Sequence, residues 1–273
     1  MNNILIATDF SPAANGAANY AAKLAAALHA KLTLVSAFQE TPVPVDGIVA
    51  LGSTNFGELT QYSLEEEVDR LRLQQPLVVE SLARPGATTP AILEAAEETH
   101  ADLIVAGMSS TGKGTRKVFG STATALARRT TLPLLIVPET AEFTPPAAIA
   151  LADDVIREKD RALPALLKDL LDRFHSRFFL IRIFNEGAGE IVEILHQNGP
   201  ERMIGAFSPF ADAPAGKPLV HALDKFVGSY PIDILVMRPQ PKSLVEQWLF
   251  GSHTRDMIFE TNIPLLIIPE KIR

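Results

Sequence analysis

The chain has 273 residues, enough for one or two domains, with an ordinary globular balance of 47% hydrophobic and 21% charged residues. It has no cysteine, which excludes a disulfide framework, thiolate metal sites and a cysteine nucleophile. The formal net charge of −7 disfavours a general nucleic-acid partner through Coulomb repulsion.

The opening MNNILIATDF has no basic region before its short apolar run, so it is not expected to be a signal peptide. No run reaches membrane-spanning length, and a cytoplasmic location is expected. Asn3–Ala7 (NILIA) predicts a strand, with Asp9 just past its end. Ser11-Pro12 predicts a helix start, a hydroxyl cap followed by proline at the first helical position. An Ala-rich helix is expected over Ala13–His29, able to pack close to a sheet, followed by a strand over Lys31–Ala37. Both strands are apolar on both faces, as strands of a covered parallel sheet are.

Gln39–Thr60, with Pro42, Pro44, Gly47, Gly52 and Gly57, reads as a long loop or lid. An acidic amphipathic helix is expected over Ser63–Leu73 and a strand over Leu77–Leu82. Thr89-Pro90 is expected to cap a helix ending near His100. A fourth strand spans Asp102–Ala106, a helix Ser121–Arg129 and a fifth strand Pro133–Val137. Alternating strands and helices imply a parallel α/β sheet.

The stretch from Val105 to Thr122, VAGMSSTGKGTRKVFGST, joins the fourth strand to that last helix. Its glycines, hydroxyls and cations, followed by a helix N-terminus, suit an anion. Glycine lets the backbone approach a ligand, and the free amides of a helix start favour a phosphate. The plainer reading is a surface loop whose glycines make turns.

The second half repeats the first. Ala148–Ala152 matches Asn3–Ala7, and Asp154 falls where Asp9 does. A helix is expected over Asp160–Phe174 with Pro164 in its first turn, then strands over Arg177–Ile183 and Arg202–Phe207, a helix from about Pro218 to Val227, and a strand over Ile232–Met237. Gly251-Ser252 follows Gly120-Ser121 by 131 positions, and PLLIIPE from Pro264 follows PLLIVPE from Pro133 by the same 131. Thr140–Pro146 reads as the linker between domains of residues 1–139 and 147–273.

These residues resemble the tandem-domain universal stress proteins of the UspA-like group. That family carries an opening strand ending in Asp and then Ser, a DLIVMG-type fourth strand, and the pattern G-x2-G-x9-G-[ST]. Asp9, Ser11 and Asp102–Gly107 fit, and Gly107, Ser110, Gly120 and Ser121 take the four motif positions, with serine at the second. The resemblance implies two tandem open-sheet α/β domains, Rossmann-like and similar to the adenine nucleotide alpha hydrolases. Each would have a five-stranded parallel sheet, with the fifth strands paired as an internal pseudo-dimer. It further implies ATP, with or without Mg, in the first domain, at the carboxyl ends of the strands. Ala7, Thr8 and Asp9 would lie on the adenosine side and Ala37 would flank the adenine. Gly107, Ser109, Ser110, Gly120, Ser121 and Thr122 would cradle ribose and phosphates, with Gly112 absorbing the Ser110 change and Lys113 supplying charge.

In the second copy Arg238 and Pro241 replace the first two motif positions, leaving Gly251 and Ser252. Proline has no N–H to offer, so this domain is expected to be a degenerate copy without ATP. None of the six histidines has metal-ligand spacing; His29, His100 and His175 fall near helix C-termini, where the dipole favours them. There is no nucleophile elbow and no P-loop. The expectation is therefore a nucleotide-binding stress or signalling protein and not an enzyme. The alternatives are an interaction module without nucleotide and, more weakly, a slow ATPase. No membrane or nucleic acid is expected as a partner, no protein partner is specified, and a homodimer of whole chains is compatible.

Overall fold

A computed structural model describes residues 1–39, 42–45, 48–51, 56–109, 117–118, 121–153, 163–183, 189–194, 201–207, 228–239, 258–259 and 263–269. In chain order the elements are β1 (Asn3–Ala7), α1 (Pro12–Leu28), β2 (Lys31–Phe38), β3 (Pro42–Val45), β4 (Ile48–Leu51), α2 (Phe56–Gln74), β5 (Val79–Pro85), α3 (Thr88–Glu98), β6 (Leu103–Met108), β7 (Lys117–Val118), α4 (Ser121–Arg129) and β8 (Leu134–Pro138). The second half continues with β9 (Ala148–Asp153), α5 (Ala165–Phe174), β10 (Arg177–Ile183), β11 (Gly189–Ile194), β12 (Glu201–Phe207), β13 (Ile234–Met237), β14 (Ile258–Phe259) and β15 (Leu265–Ile267).

Eleven strands form one sheet in the order β12-β11-β10-β9-β13-β15-β8-β6-β1-β2-β5. The first half supplies five parallel strands, β5-β2-β1-β6-β8. The second half repeats the arrangement outward from the middle, with β15, β13, β9 and β10 in the places of β8, β6, β1 and β2, all parallel. It then departs. An additional strand, β11, pairs antiparallel with β10 and with β12, so β12 is one place further from the centre than β5 is. The two halves join where β8 and β15 pair antiparallel, Leu134 opposite Ile267, Leu135 opposite Leu266, and Ile136 opposite Leu265. This is the fifth-strand pairing that the internal pseudo-dimer requires.

Alternation along the strands divides the core into two layers. Leu134, Ile136, Leu265 and Ile267 face one side, where Ile92 of α3 and Ala123 and Leu126 of α4 cover them. Leu135, Val137 and Leu266 face the other, with Ala17, Ala21 and Leu24 of α1, Leu64 and Val68 of α2, and Leu167 and Leu171 of α5. Each layer runs unbroken from one half into the other. On the second side Phe143 of the linker meets the rings of both Tyr20 and Phe174, at 5.2 and 6.3 Å between centroids. The Arg173 guanidinium donates to the Ala27 carbonyl at the end of α1.

Ser11 caps α1 as expected, accepting from the Ala14 amide, with Pro12 at the first helical position. Several boundaries differ from expectation. Gln39–Thr60 contains the β3–β4 hairpin, and α2 begins at Phe56 instead of Ser63. Thr89 does not cap α3; Ala87 holds that position, with no side-chain hydrogen bond. Pro164 sits at the N-cap of α5, just before the helix proper. The helix expected over 218–227 lies outside the described residues. At the free edge of the sheet, Gln61 accepts from the Ala83 amide and Arg72 donates to the Val79 carbonyl. Helix α2 thus occupies backbone groups of β5 that would otherwise invite another strand.

The three helix-terminal histidines share a feature that the dipole argument did not contain. His29, His100 and His175 all have left-handed backbones, with φ of 55°, 51° and 54°. In each case the following residue closes the helix with a 6→1 bond: Ala30 to Ala25, Ala101 to Ala96, and Ser176 to Leu171. This is the Schellman geometry, in which glycine usually holds the left-handed place.

Candidate functional site

At the carboxyl end of the first half's sheet lies a cavity of about 200 Å³. Its place follows from topology. From β1 the chain winds one way to β2 and β5 and the other way to β6 and β8, so a crevice opens beside β1. Ala7 and Thr8 close the end of β1, Ala37 the end of β2, and Ala106 and Gly107 the end of β6.

Three helices begin at this cavity. Ser11, Ala13 and Ala14 come from the start of α1, Thr88 and Ile92 from the first turns of α3, and Ser121, Thr122 and Ala123 from the start of α4. Their dipoles therefore present positive ends to the space, the arrangement that attracts an anion. The lining differs from side to side. On the β2 and α3 side stand Ala37, Thr88 and Ile92; on the β6 and α4 side stand Ala106, Gly107, Ser109, Ser121, Thr122 and Ala123. Between them Asp9 is exposed and shapes the β1–α1 turn. Its Oδ1 accepts from the Ser11 amide at 3.0 Å, and Thr8 Oγ1 accepts from the Phe10 amide at 3.0 Å. Phe10 between them has a left-handed backbone, φ 62°, unusual for a bulky side chain and typical of a turn held by its surroundings.

Gly107 is required by packing. A Cβ there would collide with the carbonyl oxygen of Ala13, so β6 and the first turn of α1 can meet only through glycine. This close approach forms the floor of the cavity.

Of the twelve residues expected at the site, Ala7, Thr8, Asp9, Ala37, Gly107, Ser109, Ser121 and Thr122 line this one cavity. Ser110, Gly112, Lys113 and Gly120 lie outside the described residues. Thr88 and Ile92 line the cavity without a signal in the sequence, where Thr89-Pro90 marks only a helix start. Ser11, which also fits the opening motif, Ala13 and Ala14 line the cavity besides starting α1. Of the second copy's motif positions, only Arg238 falls among the described residues, directly after β13. The described residues contain no group of three or more His, Asp or Glu placed to hold a metal ion, and no helix long and apolar enough to cross a membrane.

Fold and cavity together define an open α/β protein with a ligand crevice at its strand ends. The model of the universal stress protein family matches residues 1–138, and the chain belongs to that family. A universal stress protein from Archaeoglobus fulgidus DSM 4304 is similar over 98% of this chain and 98% of its own, with a TM-score of 0.67 and 13% identity. A putative universal stress protein from Pseudomonas aeruginosa UCBPP-PA14 is similar over 98% of this chain and 93% of its own, with a TM-score of 0.53 and 11% identity. A universal stress protein in complex with cAMP is 27% identical over 51% of this chain and 98% of its own, with a TM-score of 0.38. No curated protein sequence matches significantly.

Proposed function

We propose that the first half, residues 1–139, binds an adenine nucleotide, ATP in the first instance, and acts as a nucleotide-responsive stress or signalling protein. The observation that carries this reading is the convergence of eight separately placed residues on one cavity where three helices begin. Adenine suits the apolar wall of Ala37 and Ile92. Asp9, beside the end of β1, suits the ribose. The hydroxyls of Ser109, Ser121 and Thr122 and the amides starting α4 suit phosphate oxygens. The cavity is smaller than the roughly 300–1,000 Å³ usual for whole ligands, so these residues bound part of the nucleotide. The phosphates then extend toward the Gly-rich stretch with Ser110, Gly112, Lys113 and Gly120. Mg would arrive with the phosphates, since Asp9 is the one carboxylate on the cavity wall among the described residues.

The reading is one of binding and not of turnover, with slow ATP hydrolysis as the weaker alternative. Residues 147–273 form a second, degenerate domain that does not hold ATP in the same way, because Arg238 and Pro241 replace the small residues of the motif. Titration calorimetry of the whole chain with ATP tests this. One site per chain is expected, lost in Ser121→Glu, which sets a carboxylate against the phosphates. No binding would leave the interaction-module reading, and two equal sites would remove the asymmetry.

A further inference from the structure

The large apolar side chains left in water lie together. Among the described residues they are Phe56, Leu59, Tyr62, Leu73 and Val78, all on α2 or the turn that leads from it to β5. Leu73 is 90% exposed, Tyr62 61% and Leu59 60%. Apolar residues scattered singly over a surface are ordinary, whereas a set gathered on one helix marks an interaction surface.

The set has a helical order. Leu64, Val68 and Leu71 hold α2 against the sheet. Leu59, Tyr62, Glu66, Asp69 and Leu73 recur at intervals of three and four on the opposite face. This outward stripe is apolar at both ends and acidic between, with exposed Glu65 beside it. Leu59 and Leu73 stand about 21 Å apart along the helix axis. The cations of the helix do not offset the acid. Arg70 donates to Glu67 and Asn19, and Arg72, 3.7 Å from Asp69, donates to the Val79 carbonyl.

We propose that this face of α2 docks a basic amphipathic helix of another protein, one with apolar side chains near both ends and lysines and arginines between them. Charge decides among the occupants. A second copy packed α2 against α2 would set Glu65 and Glu66 against their own kind, and the same carboxylates repel nucleic acid and an anionic membrane. An extended peptide finds no edge to join, because Gln61 and Arg72 already occupy the Ala83 amide and the Val79 carbonyl of β5. A helix lying along α2 sets its apolar residues on Leu59, Tyr62 and Leu73 and its cations over Glu65 and Glu66. None of these residues lines the strand-end cavity, so the proposal stands apart from the nucleotide reading.

The probe is a fluorescent helical peptide of about 18 residues, long enough to span the stripe, with leucines near both ends and lysines and arginines between. Titrated into the whole chain and followed by anisotropy, it should bind saturably at one site per chain. Tyr62→Ser/Leu73→Ser and Glu65→Lys/Glu66→Lys should each weaken it about tenfold or more, with the thermal unfolding midpoint unchanged. Glu94→Lys/Glu97→Lys makes the same charge change at exposed positions of α3 and should leave binding intact. A peptide of the same pattern with glutamates for its cations should ignore the parent and bind Glu65→Lys/Glu66→Lys. Absence of binding, full affinity in the α2 variants, or equal weakening by the α3 change would overturn the proposal. So would a dimer of the free chain that Tyr62→Ser/Leu73→Ser dissociates, which would make a second copy the occupant.

Discussion

Leu135 lies directly across the seam from Leu266, its own counterpart 131 positions later in the chain. The flanking pairs are reciprocal: Leu134 meets Ile267 and Ile136 meets Leu265. A residue facing its own repeat marks an approximate two-fold axis, as in an isologous dimer interface. Asp102 and Asp233, also 131 apart, obey the same axis. Asp102 Oδ2 accepts from the Asn2 and Asn3 amides, and Asp233 Oδ2 from the Ala147 and Ala148 amides. In each half one carboxylate anchors the first strand to its neighbour.

The seam should make the two halves one cooperative unit. Leu135 and Leu266 are both almost fully buried in a layer shared by the halves. Leu135→Ala and Leu266→Ala should each cost roughly 2–5 kcal/mol. Thermal unfolding followed by dichroism should show one transition moving down in both variants. Two separate transitions, with one left in place, would show that the halves unfold independently.

Gly16 offers a test where helix propensity gives the wrong sign. Alanine in a helix interior is ordinarily better than glycine by about 0.5–1 kcal/mol. Here a Cβ would stand 2.5 Å from the Glu139 carbonyl oxygen, in the turn just after β8. Gly16→Ala should therefore destabilise the protein, by about 1–3 kcal/mol, as overpacking does. Chemical denaturation gives the answer, and a stabilised Gly16→Ala would contradict the close approach of α1 to that turn.

The left-handed histidines predict a gain. His100 is exposed, with φ 51°, at a Schellman closure. Glycine adopts that conformation without the Cβ penalty, so His100→Gly should stabilise by about 1 kcal/mol. His29→Gly should gain less, because the His29 ring also meets the Arg173 guanidinium at 2.8 Å. Equal gains at both positions would show that the His29–Arg173 contact contributes nothing.

Tyr20 should govern part of the alkaline limit. Burial, and then the nearby negative charge of Asp233, push its hydroxyl well above the usual tyrosine range. A raised folded value means that the folded state keeps a proton that the unfolded chain releases. The stabilisation is thus complete below pH 10 and falls as pH rises above it, by up to about 1.4 kcal/mol per pH unit. Tyr20→Phe should flatten that fall relative to the parent. Stability measured from pH 9 to 11 in both proteins decides it, and identical slopes would refute the assignment.

Most of the sheet could be read from the sequence because its strands are short, doubly apolar runs separated by helices, and because the duplicated PLLIVPE and PLLIIPE segments mark the central pair. Helix α4 falls where Ser121 and Arg129 predict it. Composition misleads elsewhere. Pro42 and Pro44 read as loop, yet both lie in β3 of an isolated two-stranded sheet, where a missing donor costs little. Gly189–Ile194 (GEIVEI) has no strict apolar-polar alternation, and Gly187 and Gly189 at its start resemble a turn, so β11 has no clear signal in the sequence. Of the site, the strand-end and α4 residues were visible through their motif. Thr88 and Ile92 were not, since nothing local to α3 tells a cavity wall from an ordinary first turn. The β7–β14 pair joins segments about 140 residues apart and has no local signal.

The seam between β8 and β15 also changes what variation can do. In a symmetric pair of identical subunits, every substitution appears twice, so a change that suits one site is imposed on the other. Here the partners are covalently one molecule and never part on dilution. Each is encoded separately, so a change can appear in one half alone. Arg238 could appear in one half while Gly107 stayed in the other. The same joining uses up the sheet edge through which either half would otherwise meet another chain, leaving β5 and β12 at the ends of the sheet.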